Sequence, residues 1–246
     1  VDEDGRGRSI WDTFSHTPGK IEDGTTGDRA NEHYHRYKED IGLIKQTGAK
    51  AYRFSIAWPR VFPDGTGTPN PKGLDFYDRL VDELLKNGIE PFATLYHWHL
   101  PQALEDRRGG WRSSETSKAF ADYAGHMAAR LTDRVKSIFT INEAGRFVTF
   151  GYGLGIDAPG LKLPDADVNQ VRHHVALAHG LAVQAIRALG RAGTKVGPAE
   201  NLATCVPAFD SPDHVRAAEI ATRELNSGFL GVILEGKYTD GFLQYA

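Results

Sequence analysis

Cysteine is almost missing from this chain. Cys205 stands alone, so no disulfide can form within it. Stability then rests on packing, and a reducing compartment suits the composition without being required by it. Long apolar runs are missing too. None approaches the ~20 residues that a membrane-spanning helix needs, and no signal-peptide pattern is visible. Neither sign of charge is in excess: Lys and Arg number 29, Asp and Glu 32, for a net charge of −3. With no basic stripe, nucleic acid and anionic membrane fall away as partners. Low-complexity tracts and domain linkers are absent. The first residues, Val1-Asp2-Glu3-Asp4-Gly5, include no initiating Met, so a segment upstream is expected. The expected location is cytoplasmic, with secretion as the alternative.

What is present is an ordinary globular composition, 40% hydrophobic and 25% charged over 246 residues. A chain of this length buries a substantial core. Residues 1–30, rich in Gly, Asp and Thr, read as loop. From 33 to 47, Tyr37, Ile41 and Ile44 recur at helical spacing, with Gly48 as the stop. Ala51 to Trp58 reads as a strand ended by Pro59, and a Pro- and Gly-rich loop follows through 72. Helix is expected over 73–87, with Phe76, Leu80, Leu84 and Leu85 on its apolar face. Further helices are expected over 115–131, 168–189 and 213–226. Further strands are expected from Pro91 to Trp98, Val135 to Glu143 and Lys195 to Ala203.

This alternation predicts a parallel sheet with right-handed crossovers. The nearly continuous apolar run Ile138-Phe139-Thr140-Ile141 suits a sheet covered on both faces or closed into a barrel. The spacing of the strands allows four or five βα units, whereas a complete (β/α)8 barrel has eight. An open five-stranded sheet is the alternative on pattern alone. Polar and aromatic residues gather where strands end, the side of parallel α/β folds on which sites are built.

Three such segments carry chemistry. In Thr140-Ile141-Asn142-Glu143, a carboxylate ends a buried strand. Scarce water there favours a protonated carboxyl, which a general acid needs near neutral pH. Asn142 can donate to and accept from a sugar hydroxyl. A purely structural Asn-Glu pair is the plainer alternative. In Leu95-Tyr96-His97-Trp98-His99-Leu100-Pro101, aromatic faces can stack on sugar rings and imidazoles can bond hydroxyls. His97 and His99, at i and i+2 on a strand, would share a face, a spacing that also fits zinc. The further histidines His173, His174 and His179 fall in an expected helix, and no carboxylate-rich ligand set accompanies the pair. His33 and His35 sit at a helix start, where i and i+2 diverge. Third, Arg53 interrupts the apolar strand Tyr52-Arg53-Phe54. A buried cation demands a carboxylate, either Glu143 or one from outside these strands.

Taken together, these segments resemble family 1 of the glycoside hydrolases, the β-glucosidase family. The resemblance runs through Ser9-Ile10-Trp11-Asp12-Thr13-Phe14, His33-Tyr34-His35-Arg36-Tyr37, Tyr52-Arg53-Phe54-Ser55-Ile56-Ala57-Trp58-Pro59-Arg60 and Gly73-Leu74-Asp75-Phe76-Tyr77. It continues through Leu95-Tyr96-His97-Trp98, Thr140-Ile141-Asn142-Glu143, Gly151-Tyr152-Gly153 and Ala158-Pro159-Gly160. It covers nearly the whole chain.

The resemblance implies a (β/α)8 TIM barrel that hydrolyses β-glycosides with retention. It makes Glu143 the acid/base and Asn142 a binder of the sugar 2-hydroxyl. His97 and Trp98 would line the glycone subsite, and Arg53 would orient the nucleophile. It implies no metal and no organic cofactor.

The chain departs from the family at three places. His99 stands where the family usually has Asp, Ala144-Gly145 where it has Pro-Trp, and Asp157 where it has His. The loss of that Trp should open the aglycone side. The first strand with its sugar-binding Gln, the Thr-Glu-Asn-Gly segment of the nucleophile, and the late Trp and Glu residues that grip the sugar have no counterpart here. The expectation is therefore a single domain over 1–246, an incomplete barrel of about the second to fifth βα units. Its partners would be a β-glycoside substrate and the remainder of the barrel. That remainder would come from residues outside these 246, from a second chain or from a swapped copy. A fragment that is inactive alone, or that only binds sugar, is the rival reading.

Overall fold

The protein is described by a computed structural model over residues 2–244. Its first helix, α1 (Ile10–His16), lies inside the stretch expected to be loop. A side-chain capping box starts it. Ser9 Oγ accepts from the Asp12 amide at 3.3 Å, and the Asp12 carboxylate accepts from the Ser9 amide at 2.7 Å. The apolar periodicity of so short a helix is slight, so the composition of the stretch masked it.

Helix α2 (His33–Gln46) precedes β1 (Ala51–Ser55), which ends three residues before Trp58. Trp58 instead opens a short helix, α3 (Trp58–Val61), with Pro59 in its first turn, where a missing N–H costs nothing. Helix α4 (Pro71–Lys86) begins earlier than the apolar pattern indicates, because Asn70 caps it and Pro71 is pre-set for its first turn. Leu85, expected on its apolar face, is exposed, while Leu80, Val81 and Leu84 are buried. Gly73 lets α4 lie against α3: a Cβ there would come within 2.0 Å of the Arg60 carbonyl oxygen.

Strand β2 (Glu90–Tyr96) leads to α5 (Gln102–Arg108) and α6 (Ser114–Leu131). Strand β3 (Ser137–Asn142) is followed at once by α7 (Ala144–Val148), which runs into a π-helical turn at Thr149–Gly153. Then come α8 (Asp165–Leu189), β4 (Lys195–Ala199), α9 (Pro212–Glu235) and α10 (Asp240–Gln244). The fourth strand is shorter, and the helix after it longer, than the sequence pattern suggests.

All pairings are parallel, in the order β1-β2-β3-β4. Ala51 lies opposite Glu90, Phe92 opposite Ser137, and Ser137 opposite Lys195. Phe54, Ala93 and Ile138 are level neighbours and form a buried row beneath the helices. Aromatic side chains lock the helices down. Trp58 stacks on Tyr123 of α6, with centroids 5.2 Å apart and planes within 6°. Its indole N–H donates to the Gly65 carbonyl, and the Tyr123 hydroxyl donates to the Leu95 carbonyl at 3.0 Å. Tyr96 accepts from the Trp111 indole at 3.0 Å. These buried polar contacts fix the end of β2, and so the loop that leaves it. Among the described residues no helix is long and apolar enough to cross a membrane.

Candidate active site

His97, Trp98, Asn142 and Glu143 sit at or just beyond the carboxyl end of a strand and Arg53 in the middle of β1, although the strands stop earlier than expected. β2 ends at Tyr96, so His97, Trp98 and His99 belong to the loop beyond it. Strand alternation therefore does not align His97 with His99. His97 Nδ1 lies 2.8 Å from Ser55 Oγ, at the end of β1. His99 is exposed, with its Nδ1 2.9 Å from the carbonyl oxygen of His97. Among the described residues, no three His, Cys, Asp or Glu side chains gather as a metal site would need. The zinc alternative thus loses its geometric basis. His33 and His35 instead meet Asp40 and Glu3. His173, His174 and His179 do lie in a helix, α8.

Trp98 and Glu143 share an uncommon backbone. Both are left-handed, with φ of 79° and 47°. A bulky residue rarely adopts that region, and such strain clusters where a site over-determines the chain. The Trp98 indole donates to the Asn142 carbonyl at 2.9 Å. Asn142 is buried, as expected for the last residue of β3. Glu143 follows it as a partly buried residue capping α7. Its amide donates to the Ala199 carbonyl of β4 at 2.7 Å.

Arg53 departs from expectation. It is exposed on the β1 face opposite the helices and is not the buried cation read from its apolar neighbours. It makes no ion pair among the described residues, and its guanidinium lies 5.5 Å from the Phe139 ring centroid. The pairing with Glu143 allowed by sequence is therefore absent. Arg53 is nonetheless close enough to act on His97. Burial first, then the Arg53 charge, hold that imidazole below its ordinary range, while Glu143 pulls the other way.

The structure adds a residue that sequence reasoning missed. Glu200 follows the last residue of β4, and its Oε1 accepts from the Ala144 amide at 3.0 Å. Burial pushes its carboxyl up to about 7, the Ala144 amide opposes this, and the Glu143 charge adds to it. The sequence reading ran β4 on to Ala203 and so hid this position. The signal was a carboxylate ending an apolar strand next to the strand that ends in Glu143. Both carboxylates line a cleft of about 700 Å³, which also holds Arg146 and Arg172. Arg146 reaches toward Asp157 and lies 4.2 Å from the Phe150 ring centroid and 5.9 Å from that of Trp98. His97, Trp98, Asn142 and Arg53 do not line this cleft.

Comparison with known proteins decides the kinship. The sequence profile of glycosyl hydrolase family 1 matches residues 1–246. The chain belongs to glycosyl hydrolase family 1. It is 47% identical to β-glucosidase A of Acetivibrio thermocellus over 242 residues, which are 98% of this chain and 53% of that protein. It is 43% identical to β-glucosidase A of Thermotoga maritima over 244 residues, covering 99% of this chain and 54% of that one.

Among solved family 1 structures, the Thermotoga maritima β-glucosidase in complex with isofagomine lactam superposes with a TM-score of 0.92 at 42% identity. That match covers 100% of this chain and 55% of the other. The virulence factor SghA of Agrobacterium tumefaciens gives 0.92 at 43% identity, over 99% and 54%. The four parallel strands and their helices are thus part of a TIM barrel, and the chain spans about half the length of the relatives it matches.

Proposed function

We propose that this protein is a retaining β-glycosidase of the β-glucosidase type, with Glu143 as its acid/base. The observation that carries the reading is the placement of Glu143. It is a partly buried carboxylate in a left-handed turn at the end of β3, opening on a cleft. The mechanism then needs two carboxyl groups about 5–5.5 Å apart across the sugar. Glu143 protonates the glycosidic oxygen as a nucleophilic Glu attacks the anomeric carbon. Glu143 next deprotonates the water that releases the sugar from the covalent intermediate.

The other roles follow the family resemblance. Asn142 bonds the sugar 2-hydroxyl, His97 and Trp98 line the glycone subsite, and Arg53 orients the nucleophile. The exposure of Arg53 supports the last role, because its guanidinium is available to a carboxylate that approaches the open face of β1. The Thr-Glu-Asn-Gly sequence that carries the family's nucleophile does not occur in these 246 residues. In this reading the chain is one domain, the central part of a barrel, and the nucleophile comes from the part that completes it.

The test uses the full-length protein with Glu143→Gln. Turnover falls steeply for substrates with poor leaving groups and far less where the leaving group needs no protonation. Azide then restores rate through a β-glycosyl azide. Equal losses on both substrate types, without rescue, remove Glu143 from the role.

A further inference from the structure

We propose that Glu200 is a positioning residue for Glu143, holding the turn that presents it and placing a second carboxyl group beside it. The proposal rests on the reading of Glu143 as acid/base.

Two successive amides anchor that turn to β4. The Glu143 amide donates to the Ala199 carbonyl at 2.7 Å, and the Ala144 amide donates to Glu200 Oε1 at 3.0 Å. The second contact has a specific cause. Ala144 opens α7, and the first amides of a helix have no acceptor inside it. Ala144 keeps an N–H at the edge of the site, and Glu200 is its acceptor. A carboxylate at a helix start is also favoured electrostatically. The left-handed backbone at Glu143 is thus held from both sides of the residue.

Among the described residues no cation pairs with Glu200. Glu143 reaches the cleft from the turn after β3, Arg146 from α7, Asp165 and Arg172 from α8, and Glu224 from α9. Arg146 is turned to Asp157 and Phe150, and Arg172 donates to Asn169 Oδ1 at 2.8 Å. The groups that act on the Glu200 carboxyl are its own burial, the Ala144 amide and the Glu143 charge. Burial thus favours the neutral form of the Glu200 carboxyl, and the bond from the Ala144 amide fixes where that carboxyl sits at the turn.

The test is a carboxyl 13C NMR titration of the glutamate-labelled protein, in the wild type, Glu200→Gln and Ala144→Pro. The wild type shows the Glu200 signal titrating near neutrality. Ala144→Pro removes the amide donor and moves the Glu200 midpoint up. In the full-length enzyme, Glu200→Ala, which removes the acceptor, lowers kcat by about tenfold on substrates with poor leaving groups and leaves KM near the wild-type value, while Glu200→Gln, which keeps an oxygen acceptor, recovers most of the rate.

Glu200 titrating in the ordinary carboxylate range overturns the proposal. So does a Glu200→Ala enzyme whose kcat on those substrates matches the wild type. The wild-type titration and Ala144→Pro decide the matter even if Glu200→Gln folds poorly. Failure of the acid/base reading itself shows elsewhere, in a Glu143→Gln variant indifferent to the leaving group, whatever the titration gives.

Discussion

The indole N–H of Trp98 donates to the main-chain carbonyl of Asn142, tying the loop after β2 to the last residue of β3. Each side of this link meets a left-handed residue, Trp98 itself and Glu143 beside Asn142. Trp98→Phe keeps the ring and removes the donor. A lost hydrogen bond of this kind is worth about 1 kcal/mol or a little more. Steady-state kinetics on the full-length variant should therefore show kcat/KM lower by roughly tenfold. Unchanged kinetics would mean that the link does not shape the site.

Protonation should weaken the fold through His179. Its Nδ1 lies 2.7 Å from Thr140 Oγ1 under β3, and burial pushes the imidazole down to about 4. In the unfolded chain it titrates near its ordinary ~6.5. The unfolded state thus binds the extra proton between these values. The stabilisation is full above ~6.5 and is lost as pH falls through 4, up to about 3 kcal/mol. Glu200 has the opposite sign: its raised carboxyl favours the folded state in acid, a contribution lost as pH rises through about 7. Urea midpoints of the wild type and His179→Gln at pH 7.5 and 5 isolate the histidine. The wild type should lose more stability on acidification than the variant, and parallel losses would refute the assignment.

Activity of the full-length protein should survive exhaustive chelation. The histidines nearest the site make protein contacts, His97 with Ser55 and His99 with the His97 carbonyl. Activity that disappears with chelator and returns with zinc would reinstate the metal reading.

Residues 1–246 expressed alone should not turn over an activated aryl β-glucoside as a monomer. Retention needs two carboxylates, and the segment expected to hold the nucleophile is not among these residues. Strands β1 and β4 each pair on one side only among the described residues, and unpaired edges invite association. Mass in solution and initial rate, measured together, check this. A soluble monomer with substantial turnover would place the nucleophile within this chain.

The strand and helix alternation was legible because buried parallel strands and amphipathic helices leave different periods in the sequence. Less visible were the places where side-chain chemistry overrides period. The Ser9–Asp12 capping box made a helix in a polar stretch, and Asn70 and Pro71 started α4 early. Ends of strands were overrun wherever hydrophobicity continued past the ladder, as at Trp58. The same overrun concealed Glu200. Asn142 and Glu143 were legible as a polar pair after an apolar run, and the structure places Asn142 last in β3 with Glu143 next to it. Arg53 was located correctly but given the wrong environment, since residue type alone does not tell which face of β1 is covered.

The sheet order β1-β2-β3-β4 also bears on how the chain folds as it leaves the ribosome. Strands β2, β3 and β4 each pair with the strand synthesised just before, as Glu90 does with Ala51 and Lys195 with Ser137. None of these three pairings waits for a distant partner, so loop-closure entropy stays modest as each strand is added. Nascent-chain amide exchange should accordingly show protection spreading from the amino-terminal side. Of the three described ladders, β2–β3 should become the slowest to exchange once β4 has docked, because it alone among them has a described strand on both sides.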